Sequence, residues 1–394
     1  MKPLFVQWGG GNIGRSFIAR VFSHSGFRIL FIDVNQSLVN ALNQAGAYTI
    51  EEVFGSSVAQ VVIRDVGAIH PFDQEAINNA IAEASFLGVS VGRAAWANIA
   101  RPLAEAIAYR HTLHPEKPLD IILAENIHGG REFAKALLLP HLPATLPFDA
   151  YVGLAETSIG KMVPIQDSSN LLLLRSEPYN ELFVDALAFH HPLPQSKDIH
   201  PVTPIAAYVE RKLFIHNMGH SATAYLGYSL HPEEVTIAAV LEDERVHQQV
   251  AEAMMQSGRV LLALHPGCFT ASEVDDHIQD LLRRFSNQAL ADTVHRVGRD
   301  LRRKLRFDDR LFGVITKAES LGMQWDAIGR AFVQALSFAA PDVTGTPYSE
   351  DIIFLRSLTE LPWVEKIRTA TSWDESGMGM EVLETIADKL ERLQ

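Results

Sequence analysis

Residues 4–17 read LFVQWGGGNIGRSF: a short apolar run, three consecutive glycines, then the start of a helical pattern. Gly9, Gly11 and Gly14 satisfy G-x-G-x-x-G at a strand-to-helix joint. Each glycine has its own physical reason. The first permits the tight turn, the second lets a pyrophosphate approach the backbone with no Cβ in the way, and the third lets helix and strand pack closely. The helix N-terminus then offers unpaired N–H groups and a partial positive charge to the phosphates. Gly10, Asn12 and Ile13 complete the same turn and are expected to line it. The glycines alone would also suit an ordinary strand-to-helix turn. The next apolar run, FRILFID, favours the dinucleotide reading. It ends in Asp33, nineteen residues after Gly14, near the ~20 expected for a carboxylate that hydrogen-bonds the ribose hydroxyls. A carboxylate there repels a 2′-phosphate, so NAD is expected rather than NADP.

The first half of the chain alternates. Strands are expected at 4–8, 27–33, 60–66, 86–91 and 120–124, and helices at 15–25, 35–45, 74–84 and 94–109. Such alternation predicts parallel strands with helical crossovers on both faces of one sheet, a Rossmann-type doubly wound α/β domain. The pattern weakens after about residue 180. The proline-rich polar segment HHPLPQSKDIHPVTP, 190–204, is the candidate boundary. It divides the 394 residues into a dinucleotide-binding domain, 1–190, and a substrate and catalytic domain, 191–394. The second domain is expected to be mostly α-helical, with helical periods at 205–230, 232–264, 271–285, 287–301, 326–338 and 373–393.

Composition serves mainly to exclude. A formal net charge of −13 argues against a general nucleic-acid or anionic-membrane binder. It leaves room for an anionic small substrate at a locally basic site. The single cysteine, Cys268, excludes an intrachain disulfide framework and a multi-cysteine zinc site, and suits a reducing compartment. No apolar run approaches the ~18 residues of a membrane span. The first strand candidate begins by Leu4, which leaves no place for a signal peptide. A cytoplasmic protein is expected, with a small-molecule substrate and no metal. No protein partner is evident.

Exchange of a hydride with an alcohol or carbonyl needs a group that moves the hydroxyl proton, and donors that polarise the oxygen. The segment ERKLFIHNMGHSATAY, 210–225, places Lys212, Asn217 and His220 among apolar residues. On an α-helix at about 100° per residue, His220 lies near 80° and Asn217 near 140° from Lys212, so the three share one side. Burial lowers a lysine's pKa towards the range of a general base. Spacing alone leaves a second reading: a lysine that snorkels to water beside a satisfied core histidine. Asn126 follows the strand DIILA, at the end where open α/β sheets bind ligands, and could donate to a developing oxyanion or simply form an Asx turn.

With these residues in hand, the sequence resembles the polyol-specific long-chain dehydrogenases. The carrying segments are GGGNIGRSFI (9–18), FIDVN (31–35), SVG (90–92), AEN (124–126), ERKLFIHNMGHSATAYLG (210–227), VGRDLRRKL (297–305) and DDRL (308–311). The resemblance implies a metal-independent mechanism in which Lys212 is the general acid/base. Asn126 and Asn217 would stabilise the oxyanion, and His220 would hold the substrate. It implies NAD contacts that include Val91 and Gly92. The short length is similar to the sugar-phosphate branch, which implies interconversion of a hexitol phosphate and a ketose phosphate, D-mannitol 1-phosphate and D-fructose 6-phosphate being the expected pair. A free polyol or a hexuronate is the alternative substrate, and a binding protein with reduced turnover is the alternative role. The phosphate would need cations, and Arg299, Arg303 and Lys304 lie in the basic run 299–306. That run also suits a solvated helix face balanced by Asp308 and Asp309. The chain departs from the family pattern D-S-x-V-D-R at 156–161, where it reads ETSIGK, and has Leu182 where the family tends to have tryptophan.

Overall fold

The computed structural model describes residues 2–125, 129–167, 169–373 and 379–394. The chain forms two compact units, Met1–Val209 and Glu210–Gln394.

The first unit is built on one sheet. Its parallel part comprises β1 (Leu4–Trp8), β2 (Arg28–Ile32), a strand Val66–Ile69, a strand Phe86–Val89, a strand Leu119–Leu123 and a strand Val152–Ile159. Two further strands, Ala47–Phe54 and Ser57–Arg64, form an antiparallel hairpin outside that sheet, completed by Leu173–Ser176. In chain order the hairpin is β3 and β4, and the parallel strands that follow are β5, β6, β7 and β8. Leu173–Ser176 is β9, and the edge strands Leu182–Asp185 and Ile199–Val202 are β10 and β11. The parallel order β5-β2-β1-β6-β7-β8 is the 3-2-1-4-5-6 order of a dinucleotide-binding sheet. Both faces are covered, as a parallel sheet requires. Leu4, Val6 and Trp8 of β1 point into one apolar cluster, and Phe5 points into the other. Trp8, an unusual residue before the glycines, is thus a core side chain, 3% exposed.

The expected strand 60–66 is corrected. The chain turns at Asp65, whose φ is +58°. That turn separates β4, which pairs with the hairpin, from β5, which continues the parallel sheet. The segment 190–204 contains β11, which pairs in parallel with β10, so this stretch belongs to the first unit.

The second unit is helical. Its centre packs the helices Met218–Leu230, Glu244–Leu264 and Asp326–Ala335 against one another. The helix Ala271–Phe285 opens with a capping box between Thr270 and Glu273. The expected helix 287–301 is broken into the short turns Gln288–Leu290, Val294–Gly298 and Leu301–Lys304. The breaks come at Ala291 and Asp300, which have left-handed φ values of +47° and +71°. The helices Phe312–Ser320, Ser349–Leu358 and Trp363–Thr371 carry no counterpart in the sequence reading. Among the described residues no helix is long and apolar enough to cross a membrane.

Candidate active site

The glycine joint is shaped by close approaches. Gly9 has φ +95°, and a Cβ there would collide with the carbonyl of Ser90. A Cβ on Gly14 would collide with the carbonyl of Gly9, so the third glycine allows the helix start to press on the turn. Around Gly11 there is no heavy atom within 4 Å of a would-be Cβ, which leaves that side of the turn open to a ligand. The helical run begins at Asn12 and Ile13 and passes through a π-turn, Gly14–Ile18. Asp33, just past the end of β2, accepts from the Gly10 N–H at 2.7 Å and from the Asn35 N–H at 2.8 Å. It therefore braces the turn.

Five residues that the sequence reading missed complete this end of the sheet. Arg15 is buried and donates through Nε to the Gly10 carbonyl at 2.5 Å and through a terminal nitrogen to the Leu171 carbonyl. Glu125 accepts from the Val91 N–H at 2.8 Å and from the Gly92 N–H at 2.9 Å. Burial pushes the Glu125 carboxyl above its usual range, and those two backbone bonds oppose the shift. Phe72 is 92% exposed and Val34 is 77% exposed. His70 links them: its ring lies 4.8 Å from that of Phe72, and its Nε2 lies 3.2 Å from the Val34 carbonyl. These apolar groups stand just past the ends of β2 and β5. The signals were present: an arginine directly after Gly14, an acid in AEN, and an apolar residue beyond FID. Asn126 lies outside the described residues.

At 156–161 the departures from the family pattern find structural roles. Glu156 accepts the Arg131 N–H at 2.8 Å. The buried Lys161 ammonium donates to Asn180 Oδ1 at 2.7 Å and lies 4.0 Å from Glu52. Leu182 is fully buried in the core.

In the second unit the stretch that carries the candidate base is not a plain α-helix. Lys212–Asn217 forms a π-turn between Ile205–Arg211 and Met218–Leu230. The wider i→i+5 winding of a π-turn brings residue 217 to within roughly 50° of residue 212 around the axis, where an α-helix would set them roughly 140° apart. The carbonyl of Phe214, inside this turn, accepts from Ser257 Oγ at 2.6 Å. Lys212 is partly buried, and burial, with the charges of Arg310 and Arg303 added and that of Asp309 opposing, draws its ammonium pKa down to about 7. His220 stacks on Phe285, with ring centroids 4.7 Å apart and planes 8° apart. Its Nε2 lies 3.2 Å from Asp292 Oδ2. Asp292 is in turn 2.6 Å from Arg296. Burial raises the Asp292 carboxyl, but His220 and Arg296 outweigh this and hold it below its ordinary range. A neutral imidazole in this arrangement carries its proton on Nε2, leaving Nδ1 as the acceptor. Asp292 stands 72 residues from His220 in sequence (292 − 220), and no local signal could have joined them.

The basic run divides by role. Arg299 is exposed and lies over the Tyr348 ring at 5.6 Å. Arg303 pairs with Asp300 and lies 3.9 Å from Asp309. Lys304 differs from the expectation of a phosphate contact. It is buried, and its ammonium donates to the Val297 carbonyl at 2.6 Å and to the Arg299 carbonyl. It closes the end of Val294–Gly298 from inside. Asp351 works from the other side, accepting from the Asp300 and Leu301 N–H groups at 2.8 Å each. Arg310, which the sequence reading placed only in a motif, pairs with Asp309 at 2.8 Å and reaches Ser221 Oγ at 3.4 Å.

A dinucleotide-binding sheet, followed by a helical unit with a desolvated lysine, defines a class of enzyme. A family model described as the mannitol dehydrogenase Rossmann domain matches residues 4–197, and one described as the mannitol dehydrogenase C-terminal domain matches residues 204–387. The chain belongs to the mannitol dehydrogenase family and is a polyol dehydrogenase. Among its curated relatives are mannitol-1-phosphate 5-dehydrogenases. That of Brevibacillus brevis is 32% identical over 370 residues, 93% of each chain. That of Lacticaseibacillus casei is 30% identical over 386 residues, 98% of this chain and 99% of the relative. Two solved structures share the fold. A substrate-free D-sorbitol dehydrogenase has a TM-score of 0.78 at 13% identity, over 98% of this chain and 92% of the other. The Pseudomonas fluorescens mannitol 2-dehydrogenase, in ternary complex with NAD and D-mannitol, has a TM-score of 0.72 at 16% identity, over 100% and 91%.

Proposed function

We propose that the protein interconverts D-mannitol 1-phosphate and D-fructose 6-phosphate with NAD. The first unit holds the cofactor. The open Gly11 side of the turn and the helix N-terminus receive the pyrophosphate. Asp33 takes the ribose hydroxyls, and Val34 and Phe72 offer apolar faces to the adenine. Glu125 shapes the 90–92 segment that borders the cofactor. Bound NAD accepts the hydride from the alcohol carbon.

Lys212 takes the hydroxyl proton during oxidation and returns it during reduction. Asn217 and Asn126 donate to the developing oxyanion. His220, held by Asp292, accepts from a substrate hydroxyl. Arg299 and Arg303 meet the phosphate, while Lys304 and Asp351 fix the turn that carries them. The observation that carries this reading is the Lys212 ammonium, drawn down to about 7, on the π-turn that aligns it with Asn217. Such a base is half deprotonated near neutral pH.

The test is NADH formation with D-mannitol 1-phosphate, D-mannitol and a hexuronate-derived alcohol. Turnover confined to the phosphate ester is expected. Turnover on a free sugar alone would move the substrate to the unphosphorylated class. Tight NAD binding without turnover on any of them would make the chain a binding protein.

A further inference from the structure

We propose that the Glu125 carboxylate tunes the oxidation state of the bound cofactor, favouring NAD+ over NADH by holding a negative charge beside the nicotinamide. The inference rests on NAD as the cofactor. It starts from where the charge is fixed. Glu125 stands just past the end of β7 and grips the N–H groups of Val91 at 2.8 Å and Gly92 at 2.9 and 3.1 Å, just past β6. The same segment lies on the glycine turn: Ser90 Oγ is 2.9 Å from Gln7 Nε2 and 3.3 Å from the Gly9 carbonyl. Glu125 is therefore tied to the cofactor cradle by its neighbours on both sides.

Ligands of an open parallel sheet lie outside the carboxyl ends of its strands. With the adenosine half at Asp33 beyond β2, the dinucleotide crosses β1 towards β6 and β7, where Glu125 stands. The oxidised nicotinamide ring is a cation and the reduced ring is neutral. A carboxylate near it, less screened in partly buried surroundings than in water, stabilises the first over the second. The Val91 and Gly92 N–H donors favour the charged form of the carboxylate against the burial that raises it. Glu156, inside the adjacent β8 and paired in register with Leu123 at the end of β7, adds a second negative charge one strand further on. Arg93, directly after Gly92, lies over the Phe133 ring at 4.8 Å.

The experiment measures Kd for NAD+ and for NADH with the full chain, in the wild type and in Glu125→Gln, Glu125→Asp and Glu156→Gln. Glutamine can still accept a backbone N–H but carries no charge. The ratio Kd(NAD+)/Kd(NADH) is expected to rise about three- to tenfold in Glu125→Gln. Glu125→Asp keeps the charge, so both Kd values are expected to rise while the ratio stays within about twofold. Glu156→Gln leaves the 90–92 clasp intact and should shift the ratio in the same direction by a smaller factor. It decides the matter if Glu125→Gln fails to fold. Equal weakening of both forms in Glu125→Gln, or an unchanged ratio in Glu156→Gln where it alone is measurable, overturns the proposal and leaves Glu125 a purely structural brace. Failure of the wild type to bind either form would instead overturn NAD as the cofactor.

Discussion

Two lysines of the second unit, Lys212 and Lys304, are both drawn to a pKa of about 7, by burial first and then by the charges of Arg310 and Arg303. Their surroundings differ. Lys304 closes a broken helical stretch, with its ammonium on two main-chain carbonyls. Lys212 opens a π-turn that ends at Asn217 and leads into the helix carrying His220. A lowered pKa does not separate a working base from a structural cation. We propose that the segment around each lysine separates them: Lys304 ties together a broken helical stretch, while Lys212 sits on the π-turn that bears Asn217 and leads to His220. The cofactor-binding end of the first unit teaches the same lesson with the opposite charge: Asp33 and Glu125 are tied to backbone N–H groups, and that is what fixes them beside the cradle.

The sharpest way to break the comparison is to remove each amine. Lys212→Ala is expected to lower kcat for D-mannitol 1-phosphate oxidation by about 10²–10⁴-fold, measured as NADH formation, with the thermal midpoint little changed. Lys304→Met should do the reverse. It strands two carbonyls and should destabilise the fold by about 2–4 kcal/mol in denaturant unfolding, while the folded fraction keeps most of its turnover. If Lys304→Met abolished turnover at unchanged stability, the division of roles would fail.

Smaller effects sharpen the picture around Lys212. Asp292→Asn removes the carboxylate that fixes the proton of His220, and should lower kcat/KM for the phosphate ester by about tenfold while leaving Kd for NAD+ unchanged. Arg310→Gln removes a cation that lowers the Lys212 pKa. The rising limb of the oxidation rate should then move to higher pH, by about half a unit to one unit. A move to lower pH would show that the freed Asp309 is not the group left facing the amine.

Much of the first unit was legible because its signals are local. Each glycine of the joint answers a separate steric demand, and Asp33 ends its own strand. The hairpin was not legible, because its residues also read as a single parallel strand until Asp65 reverses the chain. In the second unit the side-chain types at 212, 217 and 220 were legible, but the α-helical phase used to place them does not apply across the π-turn. Arg15, Glu125, Asp292 and Lys304 share a reason for being missed or misassigned. Each acts on a backbone group or a partner distant in sequence, and only the folded chain pairs them.

The most direct measurement is the pH dependence of kcat/KM for D-mannitol 1-phosphate oxidation in the wild type and in Lys212→Met, at saturating NAD+. The wild-type value should rise with pH through an apparent pKa near 7 and then level, and that rise should vanish in the variant. A rise near 7 that persists unchanged in Lys212→Met would assign the proton to another group and contradict the account.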